Sequence, residues 1–191
     1  MIIVMVAFFS CAPEDLDKDD SSIVEESGIN IQTSMGSFTV ELDFENAPLT
    51  SANFMDYIEL GFYDGTDGQG TTIFHRVIDD FVIQGGGYTE DTSEKVTLDP
   101  IVNEGFASGL SNIRGSIAMA RTDDPNSATS QFYINLVDND FLDPTTENTG
   151  YAVFGMVTSG LEIVDSIGST ETDGLDQPLS NVIIQSISPN N

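Results

Sequence analysis

Short runs of alternating apolar and polar residues, separated by turn residues, dominate the chain after its first 27 residues. In the run at 38–42 every second residue is apolar, and the residues between them are Thr39 and Glu41. Alternation with a period of two is typical of a strand with one buried face. The run at 29–33 and the turn residues at 34–37 precede it. These two runs are therefore predicted to form a β-hairpin.

Six further runs are rich in β-forming residues, and only two stretches have apolar residues at helical spacing. The strands are predicted at 71–78, 81–84, 116–120, 131–136, 152–157 and 181–187. The helices are predicted at 49–60, opened by Pro48 and ended by Gly61, and at 161–167. Many strands with few helices indicate a mainly β fold. A closed antiparallel barrel is favoured because closure leaves no exposed strand edge.

The charge balance excludes two classes of partner. The chain has 32 Asp and Glu against 5 Lys and Arg, a formal net charge of −27. Nucleic acids and anionic membrane surfaces are bound by cationic residues, so neither is expected as a partner.

With one Cys and one His, the chain cannot form an internal disulfide or supply four nitrogen or sulfur ligands to a structural zinc ion. No metal and no cofactor is expected.

The N-terminus has the pattern of a targeting segment. Residues 2–9 are all apolar, which is too short for a bilayer span of about 20 residues and fits a signal-peptide core. Residues 1–10 are therefore predicted to be a signal peptide. The pair Ser10-Cys11 after this core resembles the lipobox of bacterial lipoproteins, which implies lipidation of Cys11 and anchoring in the bacterial cell envelope, at its periplasmic face or on the cell surface. The alternative is an incidental Cys beside an apolar end.

A solvated tether is predicted to follow Cys11. Residues 11–27 carry seven acids and one Lys and show no apolar periodicity, which is typical of a solvated segment. The folded domain is therefore predicted to comprise residues 28–191.

Arginines need an explanation in so acidic a chain. Arg76 follows His75 in a predicted strand, and strand alternation places the two side chains on opposite faces. A second strand, at 131–136, has apolar residues at 132, 134 and 136 that can enter the core. Its other face carries Gln131 and Tyr133. The strand at 131–136 thus has a complete core face and presents an amide and an aromatic ring on its other face.

These segments belong to a longer series of motifs. The series is FHR at 74–76, FVIQGG at 81–86, GSIAMA at 115–120, SQFYI at 130–134, VDNDFLD at 137–143 and VFGMV at 153–157. It resembles the cyclophilin family of peptidyl-prolyl cis-trans isomerases in its bacterial form, over about residues 29–187. The resemblance implies a closed antiparallel barrel of eight strands with two capping α-helices. It also implies a monomer that acts on X–Pro bonds in proline-containing peptides and unfolded client proteins, here exported or envelope proteins.

The resemblance also assigns roles to residues. It implies that Arg76 is the catalytic arginine and that Gln84 and Phe81 complete the catalytic group. It implies a substrate-binding set of Val82, Ala120, Arg121, Gln131, Tyr133, Phe141, Leu142 and Tyr151. This chain departs from common family residues at four of these positions, which are Val82, Tyr133, Phe141 and Tyr151.

The implied chemistry needs no nucleophile, metal or general base. Rotation about a peptide bond faces a barrier of about 18–20 kcal/mol because twisting breaks amide resonance. The twisted bond has a more basic, pyramidal nitrogen that can accept a hydrogen bond. A guanidinium that never deprotonates is a suitable fixed donor, and it lowers the barrier by binding the twisted form better than the planar forms.

Other interpretations remain open from the residues alone. Arg76 could neutralise Asp79 or Asp80, and Phe81 and Leu142 could be ordinary core residues. His75 is expected to be structural because no G-x-S-x-G nucleophile elbow accompanies it. The whole domain could be a non-catalytic proline-peptide-binding chaperone or scaffold on the same barrel. The acidity alone leaves a third possibility, a calcium-stabilised structural protein of the envelope. The acidic turns at 123–126 and 138–140 offer oxygen ligands, but they do not match an EF-hand loop and are explained as solvated turns.

Overall fold

The computed structural model describes residues 28–190. The predicted signal peptide, Cys11 and the acidic tether lie outside the described residues. The eight strands are β1 (Gly28–Thr33), β2 (Gly36–Leu42), β3 (Thr72–Ile78), β4 (Val82–Thr89), β5 (Ser116–Met119), β6 (Phe132–Asn135), β7 (Val153–Ser159) and β8 (Val182–Pro189).

The strands form a closed barrel in the order β1-β2-β7-β5-β6-β4-β3-β8, and the pairs around it are antiparallel. The predicted hairpin is confirmed, since β1 pairs with β2 from Gly28 opposite Glu41 to Thr33 opposite Gly36. The predicted mainly β barrel is confirmed with it. Closure pairs each strand on both sides, so the barrel has no free edge.

One strand is longer than its sequence predicts. The run at 81–84 was expected to end before three consecutive glycines, but β4 continues through them to Thr89. Glycine normally weakens a strand. Here the absence of a side chain is required, because a Cβ on Gly86 would come within 2.8 Å of the Tyr63 ring and 2.9 Å of the Phe132 ring. The glycines thus allow β4 to pass close to aromatic core residues.

Three α-helices accompany the barrel: α1 (Pro48–Glu59), α2 (Gly105–Ser108) and α3 (Leu161–Gly168). The two helices predicted from sequence are α1 and α3. Four-residue α2 was not foreseen, because one turn is too short to show apolar periodicity; it ends at Gly109, whose φ of 65° is left-handed. A 3-10 turn also spans Asp140–Leu142. No helix within residues 28–190 has the length and apolar character needed to cross a membrane.

The core lies inside the barrel and is rich in aromatic rings. Phe54 of α1 inserts its ring among Tyr63 and Phe154, at centroid distances of 5.3 Å each, and Phe132, at 5.4 Å. Val164 and Ile167 of α3 are fully buried in the same cluster. Both long helices are therefore fixed to the barrel by their buried faces.

Two buried charged residues, Glu104 and Lys95, fix long loops between the strands. Glu104 accepts hydrogen bonds from the backbone of Leu49 and Thr50 (3.2 and 2.7 Å) and so caps the start of α1, where Ala47 has no side-chain acceptor. Lys95 donates to Asp67 (3.0 Å) and lies over an aromatic ring. The connections thus have fixed positions around the barrel.

Candidate functional site

Strand register brings the candidate residues into one row on the outer surface of the barrel. Arg76 of β3 lies opposite Gln84 of β4, and Gln84 lies opposite Tyr133 of β6. Tyr133 lies opposite Ala118 of β5, which lies opposite Val153 of β7. Directly opposed residues share a face of the sheet. On the outer face of the barrel, a guanidinium, an amide and an aromatic ring therefore lie side by side, next to the apolar residues Ala118 and Val153.

An apolar cluster outside the barrel surrounds this row. Its buried members are Val82, Ala118, Tyr133 and Val153, and its half-buried members are Phe81, Leu110, Ala120, Leu142 and Tyr151. Phe81 and Leu142 thus belong to the outer surface, not to the core inside the barrel.

The row and the cluster enclose a pocket of about 160 Å³. Its lining consists of Arg76, Phe81, Val82, Gln84, Ala120, Arg121, Tyr133, Leu142 and Tyr151. An apolar cavity of about 150 Å³ can hold one benzene ring, so this pocket has room for one small ring beside a guanidinium. The lining includes all but Gln131 and Phe141 of the catalytic and substrate-binding residues expected from sequence.

Those two residues lie at the margin of the pocket. Gln84 donates from its amide nitrogen to the amide oxygen of Gln131, at 3.0 Å. Phe141 is 68% exposed and stacks on Phe81 with ring centroids 5.7 Å apart. Gln131 is therefore joined to the pocket lining by its hydrogen bond to Gln84, and Phe141 extends the apolar wall into solvent.

Gly87 makes the position of Gln131 possible. A Cβ on Gly87 would lie 2.4 Å from the Gln131 Cγ and 2.6 Å from its amide nitrogen, distances that real Cβ atoms do not reach. The Gln131 side chain therefore lies across the bare backbone of β4 to reach Gln84. The glycine run serves this packing.

Arg76 is held by a carboxylate that sequence did not indicate. Its Nε lies 3.6 Å from Oδ2 of Asp176, in the loop that follows α3. The Asp176 carbonyl accepts a hydrogen bond from the Val77 amide at 2.8 Å, and Asp176 has a left-handed φ of 65°. Within residues 28–190, the ion pair of Arg76 is thus to Asp176 and not to Asp79 or Asp80. A loop 100 residues away in sequence thus supplies the carboxylate beside the guanidinium.

Arg121 brings a second fixed cation to the pocket. Its Nε and Nη2 donate to the Gly150 carbonyl at 3.2 and 3.0 Å, and its Nη1 donates to the Thr122 carbonyl at 2.8 Å. The guanidinium lies 4.5 Å from the centroid of the Tyr151 ring, a cation–π contact. Arg121 and Tyr151 therefore form one wall of the pocket.

Tyr133 is more deeply buried than its sequence pattern suggests. It was expected to face outward, and it does lie outside the barrel, but it is only 5% exposed because the outer cluster covers it. Its hydroxyl donates to the Asn112 Oδ1 at 2.7 Å, and burial raises the pKa of Tyr133 well above its usual value. The buried hydroxyl is thus protonated at neutral pH, and Asn112 satisfies it.

Asn112 is the supporting residue that sequence reasoning missed. It is fully buried, and Asp143 accepts hydrogen bonds from its backbone amide (2.7 Å) and side chain (2.8 Å). No local motif marks an asparagine in a loop for this role. The role of Asn112 is visible only in the tertiary structure, where its side-chain oxygen accepts a hydrogen bond from the Tyr133 hydroxyl.

Strand alternation predicts His75 opposite Arg76, but the register of β3 shifts between Phe74 and Arg76, and Phe74 and Val77 both pack in the core, so simple alternation does not hold here. His75 packs against Tyr88 with centroids 4.6 Å apart. Its Nδ1 is buried and has no hydrogen-bond partner within the described part of the chain. Burial, and next the charge of Arg76, lower the pKa of His75 from 6.5 to about 4. The residue is therefore neutral at pH 7, in a structural position.

The arrangement can bind a small apolar ring and donate hydrogen bonds to a group beside it. Within residues 28–190, no cluster of three or more His, Cys, Asp or Glu side chains could hold a metal ion. The acidic turns at 123–126 and 138–140 thus form no such cluster.

Comparison with known proteins gives consistent similarities. Residues 28–188 match the family model described as cyclophilin type peptidyl-prolyl cis-trans isomerase/CLD. The chain is 45% identical to peptidyl-prolyl cis-trans isomerase A of Dickeya dadantii, over 82% of this chain and 80% of that protein. It is 47% identical to peptidyl-prolyl cis-trans isomerase cyp18 of Streptomyces antibioticus, over 84% and 96%. With peptidyl-prolyl cis-trans isomerase B of Escherichia coli the identity is 44%, over 83% and 97%.

Solved structures show the same fold. A Cryptosporidium parvum cyclophilin type peptidyl-prolyl cis-trans isomerase, crystallised in the presence of the dipeptide Ala-Pro, superposes with a TM-score of 0.66 at 27% identity, covering 86% of this chain and 99% of that one. The cyclophilin AquaCyp293 from Hirschia baltica has a TM-score of 0.70 at 21% identity, covering 86% and 74%.

Substitution of Gly87 tests the placement of Gln131. In Gly87→Ala the new methyl group displaces the Gln131 side chain and breaks its hydrogen bond to Gln84, while the barrel stays folded. Side-chain amide NMR signals of Gln84 and Gln131 are expected to shift. Gly174→Ala is the matched control, because a Cβ there meets nothing within 4 Å. Unchanged amide signals in Gly87→Ala would contradict the packing described.

The pKa of His75 predicts a pH-dependent loss of stability. Its value is about 4 in the folded protein and 6.5 ordinarily, so between these pH values the unfolded chain binds a proton that the native state does not. The free energy of unfolding therefore falls as pH drops from about 6.5 to about 4. His75→Phe removes this contribution, and urea unfolding at pH 7.5, 6 and 5 is expected to show a smaller loss in the variant. Parallel pH curves for the two proteins would contradict the assignment.

Proposed function

Because the chain belongs to the cyclophilin-type peptidyl-prolyl cis-trans isomerase family, we propose that Arg76 is its catalytic residue and that the 160 Å³ pocket binds the proline ring. The chain is a peptidyl-prolyl cis-trans isomerase, with relatives of that name at 44–47% identity over most of its length. The observation that carries the residue assignment is the row in which Arg76, Gln84 and Tyr133 lie side by side next to that pocket.

Arg76 stabilises the twisted peptide bond by donating a hydrogen bond to the proline nitrogen. That nitrogen accepts a hydrogen bond well only when rotation has broken its conjugation with the carbonyl. The donor thus binds the transition state better than either planar isomer, which is the condition for catalysis. Asp176 contacts the Nε side of the guanidinium, at 3.6 Å. The terminal Nη atoms are then the proposed donors to the proline nitrogen.

The two glutamines position the arginine and the substrate backbone. The bond from Gln84 to Gln131 uses the Gln131 oxygen, which leaves the Gln131 amide nitrogen to donate to a substrate carbonyl. Phe81 forms the ring wall next to Arg76, and the apolar residues Val82, Leu142 and Ala120 complete the seat of the proline ring. Phe141 and Tyr151 contact the residues that flank proline.

Proline-containing peptides and unfolded client proteins are the proposed substrates, bound by a monomer. The Cryptosporidium parvum cyclophilin crystallised in the presence of Ala-Pro supports this substrate class. A purely binding role for the same barrel is the weaker alternative, because a guanidinium beside the ring is unnecessary for binding an apolar ring and necessary for stabilising a twisted bond.

Replacement of Arg76 separates catalysis from folding. Arg76→Ala is expected to lower kcat/KM for a short X–Pro peptide by about 10²–10³, the usual effect of removing one preorganised donor. The measurement is a prolyl isomerisation assay, with circular dichroism to verify the fold. Arg114→Ala is the matched control, since Arg114 also forms an ion pair at the surface but lies outside the pocket. Full activity in Arg76→Ala would overturn the assignment.

The location of the enzyme is a separate part of the proposal. The apolar run at 2–9 and Cys11 support a signal peptide at 1–10 and a lipid anchor on Cys11, and the acids of 11–27 support a tether to the domain that starts at residue 28. The enzyme then acts in the bacterial cell envelope, on exported or envelope proteins.

Lipidation of Cys11 is directly testable. In a bacterium that expresses the full chain, labelled palmitate is expected to enter the protein, and the protein is expected in the membrane fraction. Cys11→Ser should lose the label and leave that fraction, with isomerase activity unchanged, because Cys11 is the only Cys and lies outside residues 28–190. A full chain that carries no label would refute the anchor.

A further inference from the structure

A second and larger cavity lies beside the isomerase pocket. This groove has a volume of about 770 Å³, against about 160 Å³ for the pocket that holds the candidate catalytic residues. It lies where β2, β7 and the loop 110–113 meet. Its apolar lining includes Leu42, Phe44, Met55, Leu110, Ile113 and Met156. A volume of this size falls within the range of about 300–1,000 Å³ that binding sites occupy, and it has room for several side chains.

Some of this apolar lining is open to solvent. Phe44 is 45% exposed and Ile113 is 42% exposed. Exposed apolar side chains that line a concave surface with a polar rim are typical of an interaction site. The groove therefore offers apolar surface that a second polypeptide could cover.

The charged residues of the groove are all acidic. Glu41, Asp43 and Glu45 line it, with no Lys or Arg among the lining residues. The four cations of residues 28–190 lie elsewhere: Arg76 and Arg121 line the isomerase pocket, Lys95 is buried, and Arg114 donates to both oxygens of Asp165. The groove thus combines an apolar floor with an acidic rim.

The groove and the isomerase pocket are neighbours. Leu110 and Val153 line the groove and also belong to the outer apolar cluster around Tyr133. One extended polypeptide could therefore occupy both sites. Binding at one site raises the local concentration of the same chain at the other.

We propose that the groove is a second binding site of this enzyme, for a segment of client polypeptide with apolar side chains flanked by Lys or Arg. The apolar side chains would bury against Phe44, Met55 and Ile113. The Lys or Arg heads would stay in water at the rim, close to Asp43 and Glu45, which is the arrangement that long cationic side chains favour. The acidic residues 11–27, or a second copy of this chain at −27, would instead bring like charge to the rim.

Binding to the full-length protein tests the groove without any reference to catalysis. The probe is a fluorescent, proline-free Lys-Leu-Phe-Leu-Lys peptide, and its control is the same peptide with Glu for Lys. Fluorescence anisotropy at low salt is expected to show binding of the Lys peptide at least about tenfold tighter than that of the Glu peptide, with a difference that shrinks as salt screens the rim.

Two pairs of variants locate the binding. Glu45→Lys reverses a charge at the rim and Phe44→Ser removes apolar surface from the groove, and each should weaken the Lys peptide several-fold. Glu171→Lys and Leu175→Ser make the same changes at exposed positions outside the groove and should leave binding unchanged. Equal binding of the Lys and Glu peptides, no binding by the full chain, or unchanged binding in Glu45→Lys and Phe44→Ser would each overturn the proposal. Self-association of the full chain that Phe44→Ser abolishes would overturn it as well.

Kinetics connect the groove to the isomerase. An X–Pro peptide joined to the Lys-Leu-Phe-Leu-Lys segment is expected to have a KM about tenfold lower than the short X–Pro peptide, with kcat unchanged. Glu45→Lys should raise the KM of the joined peptide and leave the short peptide unaffected. Equal KM values for the two substrates would count against the second site, whereas failure of the proposed isomerase site would appear as loss of turnover on the short peptide.

Discussion

Antiparallel pairing around a closed ring of eight strands determines which side chains can meet outside the barrel. Because side chains alternate along each strand, the residues opposite Arg76 in the neighbouring strands must share its face. Gln84, Tyr133, Ala118 and Val153 come to Arg76 in this way. A slip of one residue in any pair would turn that strand's part of the site into the core, so the same register holds the fold and the site.

Packing inside the barrel and the site outside it are linked through β4. Gly86 lets this strand pass against the rings of Tyr63 and Phe132, and Gly87 lets Gln131 cross it to reach Gln84. Because β4 has no side chain at these two positions, other side chains can pack against both its inner and its outer face. Supporting contacts then fix the polar groups: Asn112 satisfies the Tyr133 hydroxyl, and Asp176 holds the Nε side of Arg76.

The distribution of charge gives the acidity of the chain a local meaning. The two guanidinium groups that reach the outer surface near the apolar cluster, those of Arg76 and Arg121, both line the isomerase pocket. The neighbouring groove has only carboxylates as charged groups. A proline pocket with cationic walls thus lies next to an apolar groove with an acidic rim. This contrast is the physical basis for the proposed preference for cationic segments near the proline of a client.

The sequence by itself determined the strand pattern, the two long helices and, through its motifs, the residues that line the isomerase pocket. Period-two alternation and turn residues are local properties, and motifs such as FHR at 74–76 and SQFYI at 130–134 hold their residues within one strand. Only the tertiary structure decided the passage of β4 through its glycines, the contact of Asp176 with Arg76, the support of Tyr133 by Asn112 and the existence of the groove. Each of these joins segments far apart in the chain, and the groove draws its lining from strands, a helix and two loops. Such contacts depend on closure of the barrel, which no local pattern encodes.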